Sequence, residues 1–296
     1  MQISDATYAR FVRLISDMTG IQLGENRRQM LRNRIAGRVR QLKLNSYDEY
    51  YDLLRSGDKT EEMKILIDVV TTNYTSFFRD PAQFNHLQSI LEGLFRSGQP
   101  KIRIWSAACS TGEEVYSIAM TACLAAEKCR ADIDRVRILA TDISQTVLRR
   151  AFRGIYPTER IKNISPQYRR FFKPHEGTDE PEPGPHVRID SELRGITIFR
   201  RVNLCEKPLT VPSGIDIIFI RNVLLYFDPQ MVRQILGECR NKLTRTGFLY
   251  VGASESVSEY LENMETARPC VYRPRGANLL SAGAANASST MEAVNA

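Results

Sequence analysis

From about residue 101 onward, short apolar runs of β-forming residues alternate with helical patterns: "KIRIWSA", a helix over 113–129, "RVRILATDI", a helix over 144–153, "IDIIFIRNV", a helix over 229–243, and "GFLYVGA". Strands reached through helical crossovers pair in parallel, so this alternation predicts an α/β fold with a doubly wound, mostly parallel sheet. "IDIIFI" is too continuously apolar for a strand with one wet face, which places it centrally with helices on both sides. In such sheets ligands bind beyond the carboxyl ends of the strands. The polar residues at those exits, Ser106 to Glu113 after the first strand, Asp142 after the second and Asn222 after "IDIIFI", are therefore predicted to converge on one site.

The exit loop "SAACSTGEE" narrows the ligand. A phosphate cradle needs glycines, so that bare backbone N–H groups close on an anion at a helix N-terminus. Here there is only Gly112, followed by Glu113 and Glu114, which also suit the first turn of a helix. Asp142 stands where an acid accepts hydrogen bonds from ribose hydroxyls, with Ser144 as the cap of the next helix. A ribose without a phosphate, joined to a cationic amino-acid end, describes S-adenosylmethionine.

With 296 residues, 43% of them hydrophobic, the chain can bury more than one core. No apolar run approaches 18 residues, and the amphipathic N-terminus "MQISDATYARFVRLI" is not a signal peptide; the expected location is the cytoplasm. The six cysteines are scattered without a C-x-x-C pair and histidines are few, so buried reduced thiols are expected and no metal is assigned. His86, His175 and His186 are read as packing or surface residues.

The net charge of +7 is matched by one segment: between Asn26 and Tyr47 there is no acid, while Arg27, Arg28, Arg32, Arg34, Arg38, Arg40 and Lys43 are all basic. On a helix, Leu31, Ile35, Val39 and Leu42 form an apolar stripe, and Arg27, Arg34 and Arg38 fall along one flank of it. No aromatic residues are interleaved for base stacking, so an acidic protein helix is the expected partner rather than nucleic acid. With "DATYARFVRLISDMTG" and "SYDEYYDLLRSG" as neighbouring helices stopped at Gly20 and Gly57, residues 1–70 read as a helical domain.

Four motifs in order, "TTNYTSFFRDP" (71–81), "WSAACSTGEE" (105–114), "ATDIS" (140–144) and "IFIRNVLLYFD" (218–228), resemble the chemotaxis receptor methyltransferase family of the CheR type, over nearly the whole chain. The resemblance implies an N-terminal helical receptor-recognition domain (1–70). It implies a Rossmann-like S-adenosylmethionine-dependent methyltransferase domain (71–276) with an antiparallel β-subdomain inserted at about 170–200, where "HEGTDEPEPGPHVRIDSELRGITIF" lies. It also implies cofactor contacts from Asn73, Thr75, Ser76, Arg79, Glu113, Asp142, Asn203, Leu204, Asn222 and Val223. Tyr226 matches the family's catalytic tyrosine, with Arg79 and Arg96 as candidates to steady the acceptor's charge, and Arg27, Arg34 and Arg38 as receptor contacts. The implied reaction forms glutamate methyl esters on cytoplasmic receptor helices, by a protein expected to be a monomer. The loop departs from many members by carrying Val115 where they have proline.

A glutamate side chain is already ionised at neutral pH, so such a transfer needs no general base and no Ser-His-Asp set. Two rivals remain on the sequence alone. A noncatalytic S-adenosylmethionine-sensing adaptor would keep every cofactor contact. A nucleic-acid methyltransferase would share the fold, although "RNVLLYF" lacks the Asn/Asp-Pro-Pro-aromatic turn that wraps a flipped base. A dehydrogenase fits less well, because the loop lacks the glycine spacing for a pyrophosphate. Residues 277–296, rich in Ala, Ser, Asn and Gly, are predicted to be a disordered tail.

Overall fold

The computed structural model describes residues 2–56, 60–177 and 182–276. The predicted stop at Gly57 and the tail at 277–296 lie outside them. Helices α1 (Asp5–Thr19), α2 (Arg28–Gln41), α3 (Tyr47–Arg55) and α4 (Thr60–Val70) come first. Ser4 caps α1 by accepting from the Thr7 N–H, and Gly20 ends it at φ 73°, a left-handed turn that glycine enters freely. Their apolar faces meet in a separate core around Phe11, Leu31, Ile35, Tyr50 and Leu66. The predicted stripe of α2 is therefore real, with Leu31, Ile35 and Val39 buried.

The arginine flank of α2 is a different matter, because much of it faces the protein rather than solvent. Arg38 donates to both carboxylate oxygens of Glu62 on α4 (2.8 and 2.5 Å), and the Tyr50 hydroxyl donates to the same carboxylate at 2.9 Å. Arg34 donates to the carbonyls of Val70 (2.5 Å) and Thr71 (3.0 Å) and to the Thr72 hydroxyl (3.0 Å), fastening α2 to the segment after α4. Helical spacing within α2 carries no sign of an acid on a later helix. Arg34 and Arg38, expected as receptor contacts, are thus half-buried and hydrogen-bonded within the protein.

The larger part begins with α5 (Pro81–Arg96) and β1 (Ile102–Ala107), then α6 (Glu113–Cys129), β2 (Val136–Asp142) and α7 (Gln145–Arg153). After β3 (Ile155–Pro157), α8 (Pro166–Arg169), β4 (Phe172–His175), β5 (His186–Ile189) and α9 (Ser191–Gly195) come β6 (Thr197–Arg201) and β7 (Ile215–Ile220). The described chain closes with α10 (Pro229–Lys242), β8 (Leu243–Val251), β9 (Met264–Arg268) and β10 (Val271–Pro274). Seven strands form one sheet in the order β6-β2-β1-β7-β8-β10-β9, with every pairing parallel except those of β10, which runs antiparallel to both β8 and β9.

β7 is buried along its whole length. Ile217 and Phe219 enter one core with α5 and α6, while Ile218 and Ile220 enter the other with α10. From β1 the chain winds outward through β2 and β6, then crosses back to β7 on the other side of β1. The crevice beyond β1 and β7 is thus the switch point where this architecture leaves room for a ligand.

Two placements differ from the sequence reading. The small antiparallel sheet, in the order β3-β5-β4, spans 155–189 instead of about 170–200, and β6 from "GITIF" joins the main sheet beside β2. Strand-forming residues show that a segment pairs but not with what. The β9–β10 hairpin was not read at all.

Candidate functional site

Beyond the carboxyl ends of β1, β2 and β7 lies a cavity of about 110 Å³, roofed by residues 19–27 of the helical part and walled on one side by the 70–79 segment. Asn73, Thr75, Ser76, Arg79, Asp142, Asn203, Leu204, Asn222, Val223, Tyr226 and Arg27 all line it. Residues scattered over most of the sequence therefore meet at one place.

The roof is tied down by the strand exits. The Gln22 N–H donates to the Tyr226 carbonyl at 2.7 Å, the Asn203 side chain donates to the Met18 carbonyl at 2.9 Å, and Cys205 Sγ reaches the Thr19 carbonyl at 3.1 Å. A Cβ on Gly20 would lie 2.4 Å from that sulfur, so only glycine allows the approach. Arg27 stands with its guanidinium carbon 5.4 Å from the centre of the Tyr226 ring, an attractive cation–π arrangement.

Asp142 ends β2, and its carboxylate accepts from the backbone N–H groups of Ser110 and Ser144, both at 2.9 Å. Burial pushes its carboxyl upward while those N–H groups oppose the shift. The β7 exit is shaped by Glu255, whose carboxylate accepts from the N–H groups of Asn222, Leu224 and Gly252 at 2.7–2.8 Å. It holds Asn222 at φ 58°, and a Cβ on Gly252 would come within 2.6 Å of the Asn222 amide.

The two glutamates of the exit loop part company. Glu113 is 0% exposed and turns away from the cavity, accepting from Arg160 (2.8 Å) and Thr111 (2.6 Å) beside a second, smaller cavity. Glu114 is the one that lines the large cavity, so the expectation for Glu113 is corrected in favour of its neighbour. Consecutive positions on a helix point about 100° apart, and sequence alone did not say which one faced inward. Gly112 is likewise no anion cradle. At φ 96° it lets α6 start within 2.9 Å of where its own Cβ would meet Ala151 and Tyr156.

Arg96 is also displaced from its expected role. It ends α5 and pairs with Glu92 one turn back at 3.0 Å, at the end of the helix that leads into the start of β1 and so away from the strand exits. Glu255 and Arg221 were missed by the sequence reading, and Glu114 was noted there beside Glu113 without being chosen as a contact; Arg221 left a trace only as an arginine directly after a wholly apolar strand.

The cavity presents two carboxylates (Asp142 and Glu114), three arginines (Arg27, Arg79 and Arg221), three side-chain amides (Asn73, Asn203 and Asn222), several hydroxyls and the apolar walls of Ile21, Leu23, Val70 and Leu204. The carboxylates, amides and apolar walls suit a sugar and base with a cationic tail.

Comparison with known proteins agrees. Residues 73–271 match the family described as "CheR methyltransferase, SAM binding domain", and residues 6–71 match "CheR methyltransferase, all-alpha domain". The chain is 39% identical over 273 residues to the "Chemotaxis protein methyltransferase" of Escherichia coli, covering 90% of each chain. It is 36% identical over 277 residues to that of Salmonella typhimurium, covering 92% of this chain and 91% of the relative. Against "Chemotaxis protein methyltransferase 2" of Pseudomonas aeruginosa the identity is 35% over 258 residues, covering 87% and 89%.

Proposed function

The chain belongs to the CheR methyltransferase family, as an S-adenosylmethionine-dependent methyltransferase of chemotaxis, and from that premise we propose how its cavity works. The acceptor is a glutamate side chain on a cytoplasmic helix of a chemotaxis receptor, and the product is its methyl ester. The observation that carries this reading is the meeting of Asp142, Glu114, Asn222 and Tyr226 with Arg27 and Arg79 on one cavity between the helical part and the sheet.

S-adenosylmethionine, when bound, supplies the electrophilic methyl of a sulfonium; the rest of the task falls to this chain. Asp142 takes the ribose hydroxyls, and Glu114 with the amides of Asn73, Asn203 and Asn222 takes the remaining polar atoms. The acceptor carboxylate arrives ionised, so no residue must remove a proton from it. The Tyr226 hydroxyl donates a hydrogen bond to it and Arg79 offsets its charge, which fixes the attacking oxygen in line. Positioning of this kind supplies roughly 7–11 kcal/mol in favourable cases. The roof over residues 19–27 excludes the water that would compete as acceptor.

Receptor docking falls to Arg27 at the rim, to the solvent-facing side of α2, where Arg40 is exposed, and to exposed Lys43 just past its end. No helix among the described residues is long and apolar enough to cross a membrane. We place the protein in the cytoplasm, acting as a monomer on the receptor's inner portion. Incubating receptor-bearing membranes with the protein and methyl-labelled S-adenosylmethionine, then adding alkali, is expected to liberate labelled methanol. Label that survives alkali would sink the ester assignment.

A further inference from the structure

Arg221 follows the fully buried strand β7, and only 2% of its side chain is exposed. A guanidinium there is costly unless it is paired. It is paired twice over, with acids from two separate elements. Nη1 donates to Glu114 Oε2 on α6 at 3.0 Å, and Nη2 donates to Asp80 Oδ2 at 2.5 Å and to the Arg79 carbonyl at 2.7 Å. Nε makes no hydrogen bond of its own.

Two consequences follow from one cation serving two carboxylates. The cluster holds two acids to one cation; burial pushes the Glu114 carboxyl upward, and Arg221 with the Ser106 hydroxyl opposes that shift. Glu114 also accepts from Ser106 Oγ at 2.7 Å and is 13% exposed; its open side lines the cavity. A cationic group entering the cavity therefore meets a carboxylate already fixed in direction from behind.

The second consequence concerns the 78–80 turn. Phe78 and Asp80 both lie in the left-handed region, at φ 52° and φ 60°, which costs non-glycine residues of order 1 kcal/mol or more each. The turn is held by the Phe78 N–H donating to Ser117 Oγ at 2.9 Å and by Arg221 gripping Asp80 and the Arg79 carbonyl. Arg79, which lines the cavity, is the residue between those two anchors.

We propose that Arg221 is a positioning residue for the amino-acid end of the cofactor. From inside the protein it aims Glu114 at the cofactor's cationic end and draws the Arg79–Asp80 turn onto the sheet, so that one guanidinium sets two walls of one subsite. This rests on the reading that the cavity takes S-adenosylmethionine. It assigns the amino-acid end to the Glu114 side and leaves the adenosine to Asp142.

The test compares two ligands by titration calorimetry. S-adenosylhomocysteine carries the amino-acid end, and 5′-methylthioadenosine keeps the adenosine without it. Arg221→Gln is expected to weaken S-adenosylhomocysteine by roughly 10- to 50-fold, the range for losing a charged hydrogen-bonded partner, while 5′-methylthioadenosine changes less than about threefold. Arg221→Lys, which keeps the charge but loses the fork, falls between wild type and Arg221→Gln. Equal weakening of both ligands would mean a purely structural role, and an unchanged S-adenosylhomocysteine affinity would mean no role; either overturns the proposal. Should Arg221→Gln fail to fold, Glu114→Gln provides the same comparison with the Arg221–Asp80 pair intact, and equal loss of both ligands again overturns it. If the wild-type protein binds neither compound, the cofactor reading itself has failed, a result distinct from all of these.

Discussion

Asp142 is fixed by two backbone N–H groups before any ligand arrives, so its direction does not depend on the ligand. Asp142→Ala is expected to raise the dissociation constant for S-adenosylhomocysteine by roughly 10- to 100-fold, as when hydrogen bonds to a charged group are lost. Titration calorimetry checks this, and an unchanged constant would remove Asp142 from the ribose. Tyr226 makes a different prediction, since its hydroxyl is assigned to the acceptor and not to the cofactor. Tyr226→Phe should lower kcat by about 10- to 100-fold while S-adenosylhomocysteine affinity stays within about threefold. A parallel loss of both would show that the hydroxyl chiefly supports the cavity wall. Asp142 reaches the cavity from the strand exit that the sequence pattern marked, whereas Tyr226 was pointed to only by the family resemblance. Glu114 was not legible in the sequence, because one residue's difference in phase decides whether a carboxylate meets the cavity or meets Arg160.

At the scale of elements, the end of α1 is pressed against the segments that follow β6 and β7. Gly20→Ala adds a Cβ at 2.4 Å from Cys205 Sγ and asks alanine for φ 73°. A cost of about 1–2 kcal/mol is expected from the backbone alone, with more from the clash. The readout is a lower urea midpoint together with weaker S-adenosylhomocysteine binding, since Thr19, Ile21 and Leu23 roof the cavity. Lost stability with intact binding would separate the roof from the site.

α5 carries a pH-sensitive contact far from the chemistry. His86 Nδ1 lies 2.8 Å from the Tyr250 hydroxyl and its ring packs edge-on to Phe248; burial, with Arg268 nearby, pulls its pKa from the usual 6.5 down to about 4. Between those values the unfolded chain binds more protons than the folded one, so this contribution is present above pH 6.5 and is lost as pH falls toward 4. The urea midpoint of wild type should therefore drop more between pH 7 and pH 5 than that of His86→Gln. Equal drops would mean the histidine titrates freely. The basic helix α2 is the clearest case of an element read correctly while its surroundings were not. Its apolar stripe follows from its own periodicity, but Arg38 found Glu62 on α4, a partner no local pattern announces.

For the molecule as a whole, the cavity walls come from both the helical part and the sheet, so a ligand that fills it should stabilise both together. At 100 times its dissociation constant, S-adenosylhomocysteine is expected to add about 2.7 kcal/mol and raise the melting temperature by several degrees. Circular dichroism followed together with intrinsic fluorescence from Trp105, which is fully buried in the sheet, tests this. A helical transition left behind while the sheet's transition shifts would show that the roof contributes nothing to binding.

By itself the sequence determined the parallel sheet, the separate helical core and the strand exits that face a ligand. Those depend on periodicity and on residue type at a local terminus, which neighbouring residues suffice to specify. Tertiary structure alone decided which glutamate enters the cavity, that Arg34 and Arg38 turn inward, that β6 joins the large sheet and that Arg221 sits between Glu114 and Asp80. Each of these is a pairing between groups far apart along the chain, where direction and distance are set by packing and leave no regular spacing to read.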